Sequence, residues 1–112
     1  MRYSELITIL NECATHCTYC TDECLDESNL SEMNDCIRTN LVCAEICTAL
    51  SKILTLSYTD VGDLIKYCQR VCMTCATECR KHSHEHCQQC ADICEKCSTA
   101  CKEVLVKYES KN

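Results

Sequence analysis

The segment CQRVCMTCATEC, residues 68–79, decides the fold, because its cysteines recur at intervals of four, three and four residues. Such intervals keep side chains on one face of an α-helix, whose turn contains 3.6 residues. The other three groups of cysteines in the chain are likewise spaced by 3, 4 or 7 residues. The four groups are Cys13, Cys17, Cys20 and Cys24; Cys36, Cys43 and Cys47; Cys68, Cys72, Cys75 and Cys79; and Cys87, Cys90, Cys94, Cys97 and Cys101.

Aliphatic residues extend each cysteine stripe in the same register and set the length of four predicted helices. The predicted helices are residues 4–27, 31–56, 60–82 and 84–108. The chain has one glycine and no proline, so few residues interrupt these patterns. Helix starts are indicated by a possible capping box and by polar residues in the breaks. These residues are Asn29 with Glu32, Ser57 with Asp60, and Ser83.

Short connections between helices favour antiparallel neighbours, so the predicted fold is all-α: an up-down-up-down antiparallel four-helix bundle. We expect residues 1–112 to form a single domain of this kind. In that topology the aliphatic ends of all four stripes meet at one end, and the cysteines line the rest of the core. The aliphatic residues are Leu6, Leu10, Leu50, Leu54, Val61, Ile65 and Leu105.

Composition narrows the possible functions. The net charge is −6, so the basic surface of a nucleic-acid-binding protein is not expected. No apolar run approaches the ~18 residues of a membrane span. The first residues are too charged, and their apolar run too short, for a secretory signal, so we expect a cytoplasmic protein. Thiols stay reduced in that compartment, which favours metal binding over disulfides for the 16 cysteines.

The charge of each metal favours monovalent copper over zinc. A zinc ion with four thiolates has a net charge near −2, and several such sites in one narrow core would be costly to bury. Cu(I) is selected by thiolates, and a Cu⁺ ion that replaces one thiol proton leaves the charge unchanged. We therefore expect multiple Cu(I) ions, about one per cysteine, if each thiolate bridges two ions. Zinc or general soft-metal sequestration and a thiol redox protein remain the alternatives.

Three cysteine-rich segments of the chain resemble those of a known family. The segments CATHCTYCTDEC at 13–24, CQRVCMTCATEC at 68–79 and CQQCADICEKCSTAC at 87–101 look like those of the cysteine-rich four-helix-bundle copper storage proteins. The resemblance covers essentially the whole chain. It implies cytosolic storage and detoxification of many Cu(I) ions, and a homo-oligomer that is usually a tetramer of bundles. The second helix departs from the pattern, because it has three cysteines, with Asn40 on the stripe between Cys36 and Cys43.

Four further residues are candidates for a role in copper binding. His82 and His86, at the turn between the third and fourth helices, could pass copper to the thiolates at the open end. Asn40 could set the register as a buried polar group or offer its amide oxygen to a copper ion. Met33, one turn before Cys36, offers a thioether that suits Cu(I), or simply packs.

The remaining sequence features concern self-association of the chain and the question of catalysis. The second helix carries another apolar line, formed by Val42, Ile46, Ala49, Ile53 and Leu56, which is either a wide buried face or an interface between bundles. No Ser/His/Asp set or carboxylate pair stands out, so we do not expect an enzyme. Copper ions and further copies of the chain are the expected partners.

Overall fold

A computed structural model describes residues 1–111, which form four long helices and no strand within that range. A 3₁₀ turn, Leu30–Met33, precedes the second long helix. The bundle measures 49 × 20 × 18 Å, so its length is set by single uninterrupted helices. The helices are α1, Ser4–Leu25; α2, Asn34–Thr55; α3, Gly62–Arg80; and α4, Glu85–Lys111.

The sulfur atoms show that α1 and α4 run antiparallel. Cys13, in the first half of α1, lies with its Sγ 3.8 Å from that of Cys94, well along α4. Cys20, near the end of α1, lies 4.0 Å from Cys87, at the start of α4. The contacts therefore progress in opposite directions along the two helices, as the sequence pattern predicts.

The helices α2 and α3 also run antiparallel. Cys36, at the start of α2, contacts Cys79, at the end of α3, with a sulfur separation of 3.7 Å. Cys47, late in α2, lies 3.9 Å from Cys68, early in α3. The predicted all-α bundle is thus confirmed, with every cysteine stripe facing the common axis.

The helix boundaries differ from the predicted ones at the capping positions. Asn29 does not cap a helix through its side chain; its Nδ2 donates to Glu32 Oε2 at 3.1 Å. The α3 helix starts at Gly62 after Val61 and without a side-chain cap, rather than at residue 60. At the start of α4 the backbone carbonyl of His84, not Ser83, accepts from the N–H groups of residues 87 and 88. Polar residues marked the breaks between helices, but the Asn29 side chain pairs with Glu32 instead of capping.

One end of the bundle, which we call the plug, is filled by aliphatic side chains. Leu10, Leu50 and Ile65 are fully buried there. Beside them the single glycine of the chain, Gly62, leaves room for the Tyr108 ring, since a Cβ on Gly62 would lie only 2.8 Å from Tyr108 Cε1. The Tyr108 hydroxyl donates to the backbone carbonyl of Thr59 at 2.8 Å. The end of α4 is thereby fastened over the α2–α3 connection.

The outer surface of α2 keeps part of its apolar line exposed. Ile46 and Ile53 pack partly against the core, whereas Val42, Ala49 and Leu56 are exposed. The line is therefore not one wide buried face. Among residues 1–111, no helix combines the length and the apolar character that crossing a membrane would require.

Candidate metal centre

All 16 cysteines point into the core, and none exposes more than 1% of its surface. Each is a free thiol, so residues 1–111 contain no disulfide. Above the plug, the bundle axis is consequently a column of sulfur atoms. A helix can build this column because the 3- and 4-residue steps return each side chain to the same face.

The thiols lie at distances that suit shared metal ions. Neighbouring Sγ atoms are 3.7–4.0 Å apart, both across helices, as in Cys17 and Cys94, and one turn apart, as in Cys68 and Cys72. Three sulfurs placed about 2.3 Å from one metal ion would be about 4.0 Å apart. The packing of the helices thus positions the ligands before any ion arrives.

Sulfur atoms are shared between adjacent groups. Several sets of three or four donor atoms lie within 4.8 Å of one another, and some cysteines belong to two sets at once. Cys13 belongs to one set with Cys17 and to another with Cys47, and Cys90 belongs to one set with Cys20 and to another with Cys75. Bridging thiolates are therefore geometrically available along the column. Five of these sets are Cys13, Cys47, Cys72 and Cys97; Cys13, Cys17, Cys43 and Cys94; Cys17, Cys75, Cys90 and Cys94; Cys20, Cys24, His86 and Cys87; and Cys20, Cys79 and Cys90.

Asn40 is the one buried amide in this column, and its side chain is surrounded by thiols. Its Oδ1 accepts from Cys75 at 3.1 Å, from Cys90 at 3.4 Å and from Cys79 at 3.5 Å. Its Nδ2 lies 3.8 Å from Cys36 Sγ. The sequence placed Asn40 on the stripe, and the structure adds that one amide contacts thiols from three helices. Its oxygen therefore lies within hydrogen-bond distance of three thiols on two other helices.

The end opposite the plug, which we call the mouth, brings one histidine to the thiols. His86 Nδ1 lies 3.2 Å from Cys20 Sγ and 3.6 Å from Cys87 Sγ. On its other side, His86 Nε2 lies 2.7 Å from Glu27 Oε2. The ring thus connects the sulfur column to a carboxylate that is partly exposed. Glu27 belongs to an acidic stretch that reads as a solvated surface in the sequence, and no local pattern marks it as a partner of His86.

The pKa of one thiol at the mouth is shifted in the opposite direction to those of two neighbouring thiols. Burial raises the pKa of Cys24 and of Cys87, so both are neutral thiols at pH 7. The pKa of Cys20 is lowered, first by its contact with Cys36 and also by His86. Burial opposes protonation of His86, but Cys20 and Glu27 outweigh it and raise its pKa. Cys20 and His86 therefore favour a thiolate–imidazolium pair, which is a nucleophilic and metal-binding arrangement.

His82 lies elsewhere than the helical pattern predicts. The α3 helix ends at Arg80, so His82 belongs to the turn and does not continue the cysteine stripe of α3. Its Nε2 pairs with Glu78 Oε2 at 2.8 Å, and no thiol is its hydrogen-bond partner. Met33 is fully buried at the start of α2, as packing requires. His82 and Met33 stay predictions as copper-binding residues.

A four-helix bundle with this sulfur-lined axis defines a class of proteins whose core, rather than a loop, holds the metal ligands. The family model described as copper storage protein matches residues 1–106. The chain therefore belongs to the copper storage protein family.

Solved structures of similar chains carry copper. A copper storage protein from Streptomyces lividans, loaded with 10 copper equivalents, is 36% identical, covers 93% of this chain and 83% of its own, and has a TM-score of 0.90. The Cu(I)-bound copper storage protein BsCsp3 is 35% identical over 90% of this chain and 96% of its own, with a TM-score of 0.85. A cysteine-rich protein of Bacillus subtilis without an assigned function is 35% identical over 92% of this chain and 96% of its own.

Proposed function

We propose that this protein stores and detoxifies Cu(I) by binding many ions to the thiolates that line its core. The observation that carries the proposal is the sharing of sulfur atoms between adjacent donor sets along the buried axis. Bridging lets one thiolate serve two ions, so about one Cu(I) per cysteine can be bound. The ligands are the 16 cysteines, with the Asn40 oxygen as an additional donor beside Cys75 and Cys90.

Charge balance explains how a core without buried cations can hold so many ions. The thiols of Cys24 and Cys87 are neutral before loading, because burial raises their pKa. Each Cu⁺ that displaces one thiol proton leaves the charge of the core as it was. Zinc would leave each four-thiolate site with a net charge near −2, which the apolar surroundings disfavour.

Copper enters, on this proposal, through the mouth. His86 is the uptake residue, because its ring contacts both Cys20 inside and Glu27 outside. Cys20 is the first thiolate that an incoming ion meets, since its lowered pKa makes it the easiest thiol of the mouth to ionise. His82 has a smaller part in uptake, since its ring pairs with Glu78 at the end of α3.

Anaerobic titration of the reduced chain against a Cu(I) chelator tests the proposal. Uptake should end near one copper per thiol. A zinc-sequestering protein would saturate with zinc near a quarter of that number. Replacing Cys17 with Ser should lower copper capacity, while replacing the exposed Ser110 with Ala should not. Saturation at one or two ions per chain would contradict storage.

A thiol redox function is the second candidate, and the Cys20–His86 pair favours it. A thiolate stabilised by an imidazolium is the arrangement expected of a reactive cysteine. Cys20 is fully buried, however, so a disulfide substrate could reach it only if the mouth opened. Turnover with a small disulfide that disappears in Cys20→Ser would favour this candidate, whereas storage predicts no turnover and therefore no enzyme.

Location and assembly are further parts of the proposal. A similar chain from Streptomyces lividans is a cytosolic copper storage protein, which supports a cytoplasmic location here. The exposed apolar side chains of α2, Val42 and Leu56 among them, support a homo-oligomer, a tetramer by the resemblance of the family. Sedimentation of the wild type and of Val42→Glu tests the assembly, and a wild type that sediments as a monomer would contradict it.

A further inference from the structure

We propose that Glu27, His84 and His86 form a second metal site, outside the sulfur column, that takes a borderline divalent cation such as Zn²⁺. The inference rests on the proposed copper function, because this site would control the path through the mouth. It uses donors and an ion different from those of the core: two imidazoles and a carboxylate in place of thiolates.

The two imidazole rings contact the same carboxylate oxygen. Glu27 Oε2 lies 2.7 Å from His86 Nε2 and 3.1 Å from His84 Nδ1. The two imidazole rings are parallel, with 5° between their planes and centroids 5.4 Å apart. In a tetrahedral site with metal–ligand distances of about 2.0 Å, neighbouring donors lie about 3.3 Å apart. A small shift of the carboxylate would therefore open the space for an ion.

The opposite nitrogen of each ring already has a hydrogen-bond acceptor. His84 Nε2 lies 3.4 Å from Asn29 Oδ1, and His86 Nδ1 lies 3.2 Å from Cys20 Sγ. Metal-binding histidines generally donate their second N–H to such an acceptor, which fixes the tautomer. In the metal-free chain the remaining nitrogen of each ring pairs with Glu27 Oε2. A cation that displaces the protons of these two nitrogens would be held by the same three side chains.

Solvent can reach this site, and its three protein ligands leave one coordination position open, as an exchangeable metal site requires. The side chains of His84 and Glu27 are 30% and 26% exposed, whereas that of His86 is 10% exposed. Solvent can reach the ion position, and a water molecule can complete three protein ligands. Two imidazoles and one carboxylate suit zinc, while Cu(I) prefers the thiolates beneath.

Occupation of this site would close the copper path. A neutral imidazole has one lone pair, so a cation bound at His86 Nε2 leaves Nδ1 carrying its proton toward Cys20. His86 then cannot offer Nδ1 to a Cu(I) ion at the same time. Zinc at the mouth should therefore slow copper transfer without changing how much copper the core holds.

The test uses the full chain after saturation with Cu(I), so that the thiols are occupied before zinc is added. Equilibrium dialysis should find one Zn²⁺ per copper-loaded chain, and His84→Ala or Glu27→Gln should weaken that binding by at least about tenfold. His16→Ala is the matched control, because it removes an exposed histidine of α1 and should leave zinc binding unchanged. Circular dichroism confirms that each variant keeps its helices.

The same samples test the link to copper transfer. Zinc should slow the removal of copper by a Cu(I)-selective chelator in the wild type and in His16→Ala, but not in His84→Ala. Absence of zinc binding to the copper-loaded wild type, binding that survives His84→Ala, or removal rates that ignore zinc would each overturn the proposal. Copper content is measured first, so a chain that fails to load copper contradicts the storage function rather than this site.

Discussion

The plug and the mouth are the two ends of one bundle, built on the same helices but filled with different atoms. The plug is packed with aliphatic side chains such as Leu10 and Leu50, and each contributes about 1.5–3 kcal/mol on burial. The mouth is filled with thiols and the ring of His86, which bury less apolar area. The comparison shows that the chain separates the residues that stabilise the fold from those that bind the cargo.

The largest expected effect is that of alkaline pH, which should reduce the folding stability contributed by the thiols and leave that of the plug unchanged. Burial raises the pKa of Cys24 and Cys87, so their contribution to stability is complete below the ordinary thiol pKa of about 8.5. Above it the unfolded thiols ionise while the folded ones keep their protons, so stability falls. At pH 10 the loss should be about 2 kcal/mol per thiol, or about 4 kcal/mol for the pair.

Denaturant unfolding of the reduced, copper-free chain between pH 7 and pH 10 measures this loss. The copper-loaded chain is the control, because its thiolates have already given up their protons and cannot produce the fall in stability above pH 8.5. Hydrogen exchange should weaken first near the mouth. A free energy of unfolding that stays constant from pH 8 to pH 10 would show that the buried thiols are not held neutral.

The second largest effect should come from the plug. Leu10→Ala should reduce the free energy of unfolding of the copper-free chain by about 2–5 kcal/mol, because it leaves a cavity among fully buried side chains. Its copper capacity should remain that of the wild type wherever the chain is folded. Cys97→Ala is the matched variant, since it should lose capacity at a smaller loss of stability. Equal losses of stability in the two variants would remove the distinction between the ends.

A smaller, kinetic effect is expected at the mouth. His86→Ala should slow copper loading by up to about tenfold, equivalent to 1.4 kcal/mol, because it removes the ring between Cys20 and Glu27. His82→Ala, whose ring pairs with Glu78, should slow loading less. Stopped-flow loading with a Cu(I) complex measures both rates, and capacity should stay within one ion of the wild type. Equal rates in all three proteins would exclude His86 as the uptake residue.

The smallest expected effect is one extra ion at the middle of the column. Asn40→Cys places a seventeenth thiol among Cys75, Cys79 and Cys90, so capacity should rise by about one Cu(I). Asn40→Ala, which removes the amide without adding sulfur, is the control for a loss of register. Unchanged capacity in Asn40→Cys would indicate that the oxygen of Asn40 already serves as a ligand.

The fold could be predicted from the sequence because one periodicity fixes both the helices and their common face. Cys68 and Cys79 lie on one side of a helix whatever the neighbouring residues are. The ends of helices were harder to predict, because the Asn29 side chain pairs with Glu32 instead of capping and α3 starts after Val61 without a side-chain cap. Sequence spacing does not show which partner such a side chain chooses.

The positions of the core thiols and of His86 at the open end could be predicted from the sequence, whereas the partners of the histidines could not. The thiols follow from the stripe, and Asn40 interrupts it visibly. Glu27 becomes significant only when the α1–α2 connection folds against the start of α4, which brings it to His86 across 59 residues. The position of His82 was also not predicted, because the helix that was expected to carry it ends at Arg80. Contacts between connections depend on tertiary packing, which a helical pattern does not encode.

The even pitch of sulfur along each helix has a consequence for how such a protein can grow. Seven more residues would lengthen a helix by about 10.5 Å and add two ligands in the same register. The copper capacity can therefore increase when all four helices are lengthened together, without a change in any turn. The number of copper ions that such a bundle can hold is therefore set by the length of its helices.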